Sequence, residues 1–157
     1  MTRLGVMADS HRARRNIQKA LEKMEDCRLI LHLGDHDSDM DAFDLSPGRL
    51  ISVPGNCDPL SFEPQLQLFE RDGVRVMMTH GHAYGVKYGL TRLALKAREK
   101  GARLALFGHS HAQTAEDDGE VLCLNPGALC NGCYAIVTLD AGKITYELKK
   151  LDGANEL

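Results

Sequence analysis

No apolar run in this 157-residue chain approaches the roughly 20 residues that a membrane span requires. The first residues pass straight into a strand pattern, without the charged and apolar regions of a signal peptide, so a cytoplasmic protein is expected. There is no disulfide framework either. The five cysteines are odd in number and irregularly spaced, which suits a reducing compartment. A net charge of -3 offers no footprint for non-specific nucleic-acid binding. Repeats, low-complexity tracts and linkers are also absent, and a chain of this length predicts one domain over 1–157 with a core of its own.

What the chain does have is a set of short apolar runs, each delivering Asp, Asn or His at its end. The central one is Leu29 to Asp35, Leu-Ile-Leu-His-Leu-Gly-Asp: an apolar strand, a glycine that lets the backbone turn, then a carboxylate. Leu4 to Ala8 delivers Asp9 and His11, and Leu50 to Val53 delivers Gly55-Asn56 followed by Cys57 and Asp58. Val74 to Thr79 delivers His80 and His82, and Leu104 to Phe107 delivers His109 and His111. Such runs fit strands buried on both faces of a parallel sheet, and ligands of open α/β sheets gather at the carboxyl ends of those strands.

Between the strands, Ile17, Ala20, Leu21 and Met24 mark one buried stripe of a helix over Asn16 to Glu25, with Asn16 as its N-cap. A second helix is expected from Val86 or Tyr88 to Lys100, closed by Gly101. Asp72-Gly73 and Ala141-Gly142 predict hairpins, and the hairpin-rich second half predicts that the sheet is mixed. Asp37, Asp39, Asp41 and Asp44 read as mostly solvated loop. Arg12, Arg14 and Arg15 precede the first helix, where the macrodipole disfavours cations. Either they are solvated, or one of them, best Arg12 beside His11, meets an anionic substrate. Cys130 and Cys133 form a lone Cys-x-x-Cys without a second pair, so buried thiols behaving as small hydrophobes are expected there.

The five strand ends together make a mixed nitrogen and oxygen ligand set, which suits manganese, iron, zinc, nickel or cobalt. In their order and placement the blocks Asp9-x-His11, Gly34-Asp35, Gly55-Asn56, His80-Gly-His82 and Gly108-His109-x-His111 resemble the metallophosphoesterase (calcineurin-like) superfamily, and in particular its small single-domain bacterial and archaeal phosphodiesterases. The resemblance runs from Asp9 to the Asn125-Pro126-Gly127 turn. It implies an α/β sandwich of two mixed β-sheets flanked by helices. It also implies two divalent metal ions, manganese foremost: one held by Asp9, His11, Asp35 and His111, the second by Asp35, Asn56, His80 and His109, with Asp35 bridging. The activity implied is phosphodiester hydrolysis by in-line attack of a metal-bound hydroxide on a small phosphoester. His82 would touch the phosphate or hold a ligand's tautomer rather than bind metal. Many relatives carry a histidine after Gly-Asn that protonates the leaving group; here that residue is Cys57, followed by Asp58. His36 adjoins Asp35 and is expected to point elsewhere.

Two other readings compete. Some members of this fold are non-catalytic scaffolds, but they lose ligands, and none is lost here. Nuclease subunits of the superfamily carry further domains and basic surfaces, so a nucleic-acid partner is not expected. The sequence leaves open whether the protein is a monomer or a homo-oligomer.

Overall fold

Ten strands and two α-helices follow one another over residues 1–151, the part of the chain that the computed structural model describes. The first sheet is built from β1 (Thr2–Met7), β2 (Leu29–His32), β3 (Leu50–Ser52), β9 (Cys133–Asp140) and β10 (Lys143–Lys150), in the order β10-β9-β1-β2-β3. The second contains β4 (Leu66–Arg71), β5 (Val74–Thr79), β6 (Leu104–Leu106), β7 (Thr114–Asp117) and β8 (Leu122–Asn125), in the order β4-β5-β6-β8-β7. In the first sheet β1, β2 and β3 are parallel, and in the second β5, β6 and β8 are; the remaining strands pair antiparallel at one or both flanks. Helices α1 (Arg14–Lys23) and α2 (Thr91–Glu99) cover the outer faces. This is the expected sandwich of two mixed sheets.

Alternation along the strands explains why the apolar runs are unbroken. Leu4 and Val6 of β1, Leu29 and Leu31 of β2, Val74 and Val76 of β5, and Leu104 and Leu106 of β6 meet in the core between the sheets. Their neighbours Met7 and Ile30 turn outward to Ile17, Ala20 and Met24 of α1, while Met77 and Ala105 turn to Leu93 and Ala97 of α2. Both faces are therefore apolar. At Gly5 the fit to α1 leaves no room for a side chain: a Cβ there would fall 2.8 Å from Met24 Cγ.

Four local expectations need correction. Helix α1 starts two residues before Asn16, with Ala13 as N-cap, because the Asn16 amide instead donates to the carbonyls of Leu129 at 2.9 Å and Cys130 at 3.4 Å. Helix α2 starts only at Thr91, since Gly85 and Gly89 take φ of 62° and 155° and break the segment that was expected to be its first turn. The acidic stretch after Asp35 is a 3₁₀ helix over Asp37–Ala42 rather than open loop. Cys130 and Cys133 are half-buried, less enclosed than expected.

Candidate metal centre

The parallel strands of both sheets end at one place. Asp9 and His11 follow β1, Asp35 follows β2, Gly55 and Asn56 follow β3, His80 follows β5, and His109 and His111 follow β6. Backbone bonds lock these ends together: Asp9 N–H donates to Gly34 O at 2.9 Å and Gly108 N–H to His80 O at 2.9 Å. Glycines let the ends come this close. A Cβ on Gly55 would overlap the Asp35 carboxylate, and one on Gly108 would stand 2.8 Å from Ala8 Cβ and 3.1 Å from Asp9 Oδ2.

The side chains converge in two groups that share Asp35. Asp9, His11, Asp35 and His111 form one, and Asp35, His80 and His109 the other, with the ligand atoms of each group within 4.8 Å of one another. Asp9 Oδ1 lies 3.6 Å from His111 Nε2 and 4.0 Å from His11 Nε2. Asp35 Oδ2 lies 3.9 Å from His11 Nε2 and 3.4 Å from His80 Nε2, so one oxygen faces both groups. Asn56 is exposed at the rim, where its amide donates to Cys57 Sγ at 3.7 Å.

Whether these residues suit a cation can be tested on their own bonding. Asp9 Oδ1 and His11 Nε2 are buried without a hydrogen-bond partner, a state that costs free energy unless something fills the space between them. His80 Nδ1 meets the Leu33 carbonyl at 2.7 Å, and a carbonyl only accepts, so Nδ1 holds the hydrogen and Nε2 is left to face the carboxylates. That is the tautomer a metal ligand needs. His109 Nδ1 stands 3.2 Å from His80 Nε2. The donor set fits divalent ions.

Backbone conformation singles out the same residues. Asp9, His11, Arg12, Asp35, His36, His109 and His111 all have positive φ, between 41° and 71°; the other such non-glycine residues, Asp72 and Ala141, sit in hairpin turns. Side-chain-bearing residues adopt this region at a cost and cluster so where function demands it.

Charge in the centre treats its two carboxylates oppositely. Burial, together with the neighbouring Asp35 charge, raises Asp9 to about 7 even though His80 pulls it down. Burial would raise Asp35 too, but the hydrogen bond from His80, the Cys57 N–H at 2.9 Å and the charges of His80 and His11 outweigh it and hold Asp35 well below the usual carboxylate range. His80 is raised, because its carboxylate partners outweigh the effect of burial. Burial and the charge of His80 push His109 down to about 4. Cations must displace protons here. Metal affinity is therefore expected to climb as pH rises through about 7, as Asp9 and then the raised His80 give up their protons. Titration with manganese at pH 5.5, 6.5, 7.5 and 8.5 checks this, and an affinity that is flat from 5.5 to 7.5 would contradict it.

A second network, invisible in the sequence, holds the Asp9–Arg12 loop from behind. Gly34 N–H donates to His32 Nδ1 at 3.2 Å, which leaves His32 Nε2 as donor to Ser10 Oγ at 3.0 Å. Ser10 donates on to Asp39 Oδ2 at 2.8 Å, and that oxygen also accepts the Arg12 N–H at 2.7 Å. Burial keeps His32 neutral, down at about 4. Asp39, taken above for solvated loop, thus fixes the segment between two candidate ligands. Asp39→Ala is expected to weaken metal binding by about 10–100-fold, the usual effect of removing a group that orients ligands. A chelator competition measures it, and unchanged affinity would mean the loop keeps its shape unaided.

Asp58 has a comparable task. Its Oδ1 accepts the N–H groups of His36 at 2.8 Å and Asp37 at 3.2 Å, and its Oδ2 that of Gly55 at 2.9 Å. Cys57 is exposed, and burial and the nearby Asp35 raise its thiol. His82 Nδ1 is buried and unpartnered, its ring 5.5 Å from that of His80. His36 is half-buried, with its ring 5.0 Å from that of His11. Beside Cys57 opens a cleft of about 630 Å³ reached by Arg12, His36 and Asp58.

The fold and this constellation define a metal-dependent phosphoesterase family, and comparison with known proteins agrees. The chain belongs to the calcineurin-like phosphoesterase superfamily, whose domain profile matches residues 2–142. A probable metallophosphoesterase of Bacillus subtilis, YsnB, is 31% identical over 143 residues, covering 86% of this chain and 83% of YsnB. A phosphodiesterase of Methanocaldococcus jannaschii, MJ0936, is 27% identical over 165 residues, covering 92% and 96%. Among solved structures, a predicted phosphoesterase of Streptococcus pneumoniae superposes with a TM-score of 0.78 at 25% identity, covering 95% of this chain and 89% of that one. Vps29 of Entamoeba histolytica superposes with a TM-score of 0.76 at 16% identity, covering 96% and 100%, a likeness of fold alone.

Proposed function

We propose that the protein is a phosphodiesterase working with two divalent ions, manganese foremost, one among Asp9, His11, Asp35 and His111 and the other among Asp35, Asn56, His80 and His109. The observation that carries this reading is the pair of ligand groups sharing Asp35, built around buried, unpartnered donor atoms. Bound there, divalent ions supply Lewis acidity, lowering the pKa of water and neutralising charge that develops on a phosphoryl group. Two carboxylates against two dications leave the centre cationic, and neutral Asn56 preserves that balance. This answers how an acidic protein attracts an anionic phosphoester without a basic surface.

The remaining residues take roles by position. Asp35 sets the spacing of the two ion sites, and the Leu33 carbonyl holds His80 in its ligating tautomer. His82, with Nδ1 free, is placed to hydrogen-bond a phosphate oxygen. Arg12, which lines the adjoining cleft, would pair with one. Arg12→Asn, chosen because Asn tolerates the φ of 66° there, is expected to raise KM or lower kcat/KM while metal content and Tm stay as in the wild type; unchanged kinetics would return Arg12 to solvent. The primary test is a panel of monoesters, diesters and cyclic nucleotides with the manganese-loaded protein. Hydrolysis of diesters supports the proposal. A protein that binds no metal and cleaves none of them would instead be the scaffold of the same fold.

A further inference from the structure

The cleft beside Cys57 carries a property that metal chemistry does not explain. It starts next to the Asp35 carboxylate, since Cys57 donates its N–H to Asp35 Oδ1, and runs outward between the 3₁₀ helix Asp37–Ala42 and the segment 59–63. Its volume, about 630 Å³, accommodates a ring-sized group. Leu60 and Phe62 line it and are 88% and 104% exposed, so two large apolar side chains stand in water at the mouth with nothing packed on them. Side chains of this kind, clustered beside a reactive centre, mark a contact surface more often than isolated exposed apolar residues do.

Charge restricts the occupant further. Arg12 is the cation on this wall, at the end nearest the candidate ligands. The rest of the charged lining is acidic, with Asp58 beside Cys57 at the inner end and Asp37, Asp41 and Glu63 beyond it. Asp58 is tied to three backbone N–H groups and Asp37 accepts the Ser61 hydroxyl at 2.7 Å, but Asp41 and Glu63 are exposed at the mouth beside Leu60 and Phe62. One arginine at the inner end suits one phosphate charge. The acidic outer end repels a second.

We infer that this cleft receives the leaving group of the substrate, and that the group it fits carries a ring and is neutral or cationic. Nucleoside polyphosphates and other esters with an anionic leaving group are excluded by the same wall. The inference rests on the phosphodiesterase reading and narrows it to a substrate class. Phe62 is the apolar contact, and Asp41 with Glu63 set the charge preference.

The test uses three aryl methyl phosphates, in which a methylene separates the charge from the ring and keeps the leaving phenols close in acidity: 4-ethylphenyl, 4-(aminomethyl)phenyl and 4-(carboxymethyl)phenyl. With manganese-loaded protein, kcat/KM for the carboxymethyl ester is expected to be lower than for the other two by about tenfold, as like charges a few ångströms apart at a protein surface require. The double variant Asp41→Asn, Glu63→Gln is expected to remove most of that difference. A second readout needs no turnover: the chain has no tryptophan, so Phe62→Trp introduces a single indole at the mouth, excited selectively at the red edge where tyrosine and the added phenols do not absorb. Its emission is expected to change on titration with 4-(aminomethyl)phenol at concentrations where 4-hydroxyphenylacetate has no effect. Equal kcat/KM across the three esters, or equal response to both phenols, overturns the inference while leaving the phosphodiesterase intact. Hydrolysis of none of the esters, with the fluorescence discrimination present, overturns the phosphodiesterase reading and leaves the cleft's preference standing.

Discussion

Asp35→Asn is expected to abolish phosphodiester hydrolysis and to release both ions. The carboxylate stands 3.9 Å from His11 Nε2 and 3.4 Å from His80 Nε2 through a single oxygen, and among the described residues Asp35 is the member common to both ligand groups, although Asp9 Oδ1 also approaches His80 Nε2 at 3.8 Å. An amide offers one neutral oxygen and a nitrogen that donates, which removes charge from both ions and turns a donor hydrogen toward one of them. Losing a group that merely supports a ligand costs about 10–100-fold in metal affinity, and losing a shared ligand should exceed that for each ion. The variant should still fold. Asn tolerates the positive φ of 61° at this position, and its oxygen can keep the 2.9 Å bond from Cys57 N–H. The contrast is His36→Asn, chosen over alanine because φ there is 64°. It removes a ring that stands beside His11 but leaves the His36 N–H bonded to Asp58, so its effect should be small. Metal content by elemental analysis and kcat/KM on one diester decide the matter. Both ions retained at wild-type affinity in Asp35→Asn would show that Asp35 is not shared, and equal damage from both variants would place His36 in the centre.

The parts of this centre that were legible in the sequence lie where a local pattern and a tertiary consequence coincide. An apolar run buried on both faces reads as a parallel strand, and in a parallel sheet every such strand delivers its next residues to the same edge. Asp9, Asp35, His80, His109 and His111 could therefore be expected together at strand ends, whereas the division into two facing sheets followed only from the resemblance to the family. What stayed hidden depends on partners far along the chain. Asn16 has the sequence character of a cap, but the carbonyls of Leu129 and Cys130, more than a hundred residues away, claim its amide. His32 looks like a strand residue and Asp39 like loop polarity, and only the fold sets Ser10 between them. The positive φ of Asp9, His11 and Asp35 leaves no compositional trace, since glycine is absent from those positions. Most instructive is Asp58: in sequence it follows Cys57 and invites the role of orienting a proton donor, whereas its two oxygens are bound to the N–H groups of His36, Asp37 and Gly55.

That use of Asp58 sharpens the expectation for how rate depends on the leaving group. A general acid must hold a proton at the departing oxygen and have an acidity near the working pH. The Cys57 thiol meets neither condition well. It is exposed, partial burial and the charges of Asp35 and Asp58 raise it further from neutrality, and both oxygens of Asp58 are engaged by backbone N–H groups rather than by the thiol. General acid catalysis typically contributes about 10²–10⁴-fold, and the contribution is largest for alkoxides that leave badly. Aryl diesters depart as stabilised phenolates and need little of it. The wild-type protein is therefore expected to hydrolyse aryl diesters about 10²–10⁴-fold faster than alkyl ones of similar size, beyond what leaving-group acidity gives in a relative with a histidine at this place. Cys57→His should recover part of the alkyl rate and flatten the slope of log kcat/KM against leaving-group pKa. The exposed position leaves room for the larger ring, and the N–H that Cys57 donates to Asp35 is untouched by the change, although Sγ gives up its contacts with the Asp35 carboxylate and the Asn56 amide. A shallow slope in the wild type would mean that another group supplies the proton. His82, with its unpartnered Nδ1 near His80, is the residue placed to do so, and a steepened slope in His82→Ala would identify it.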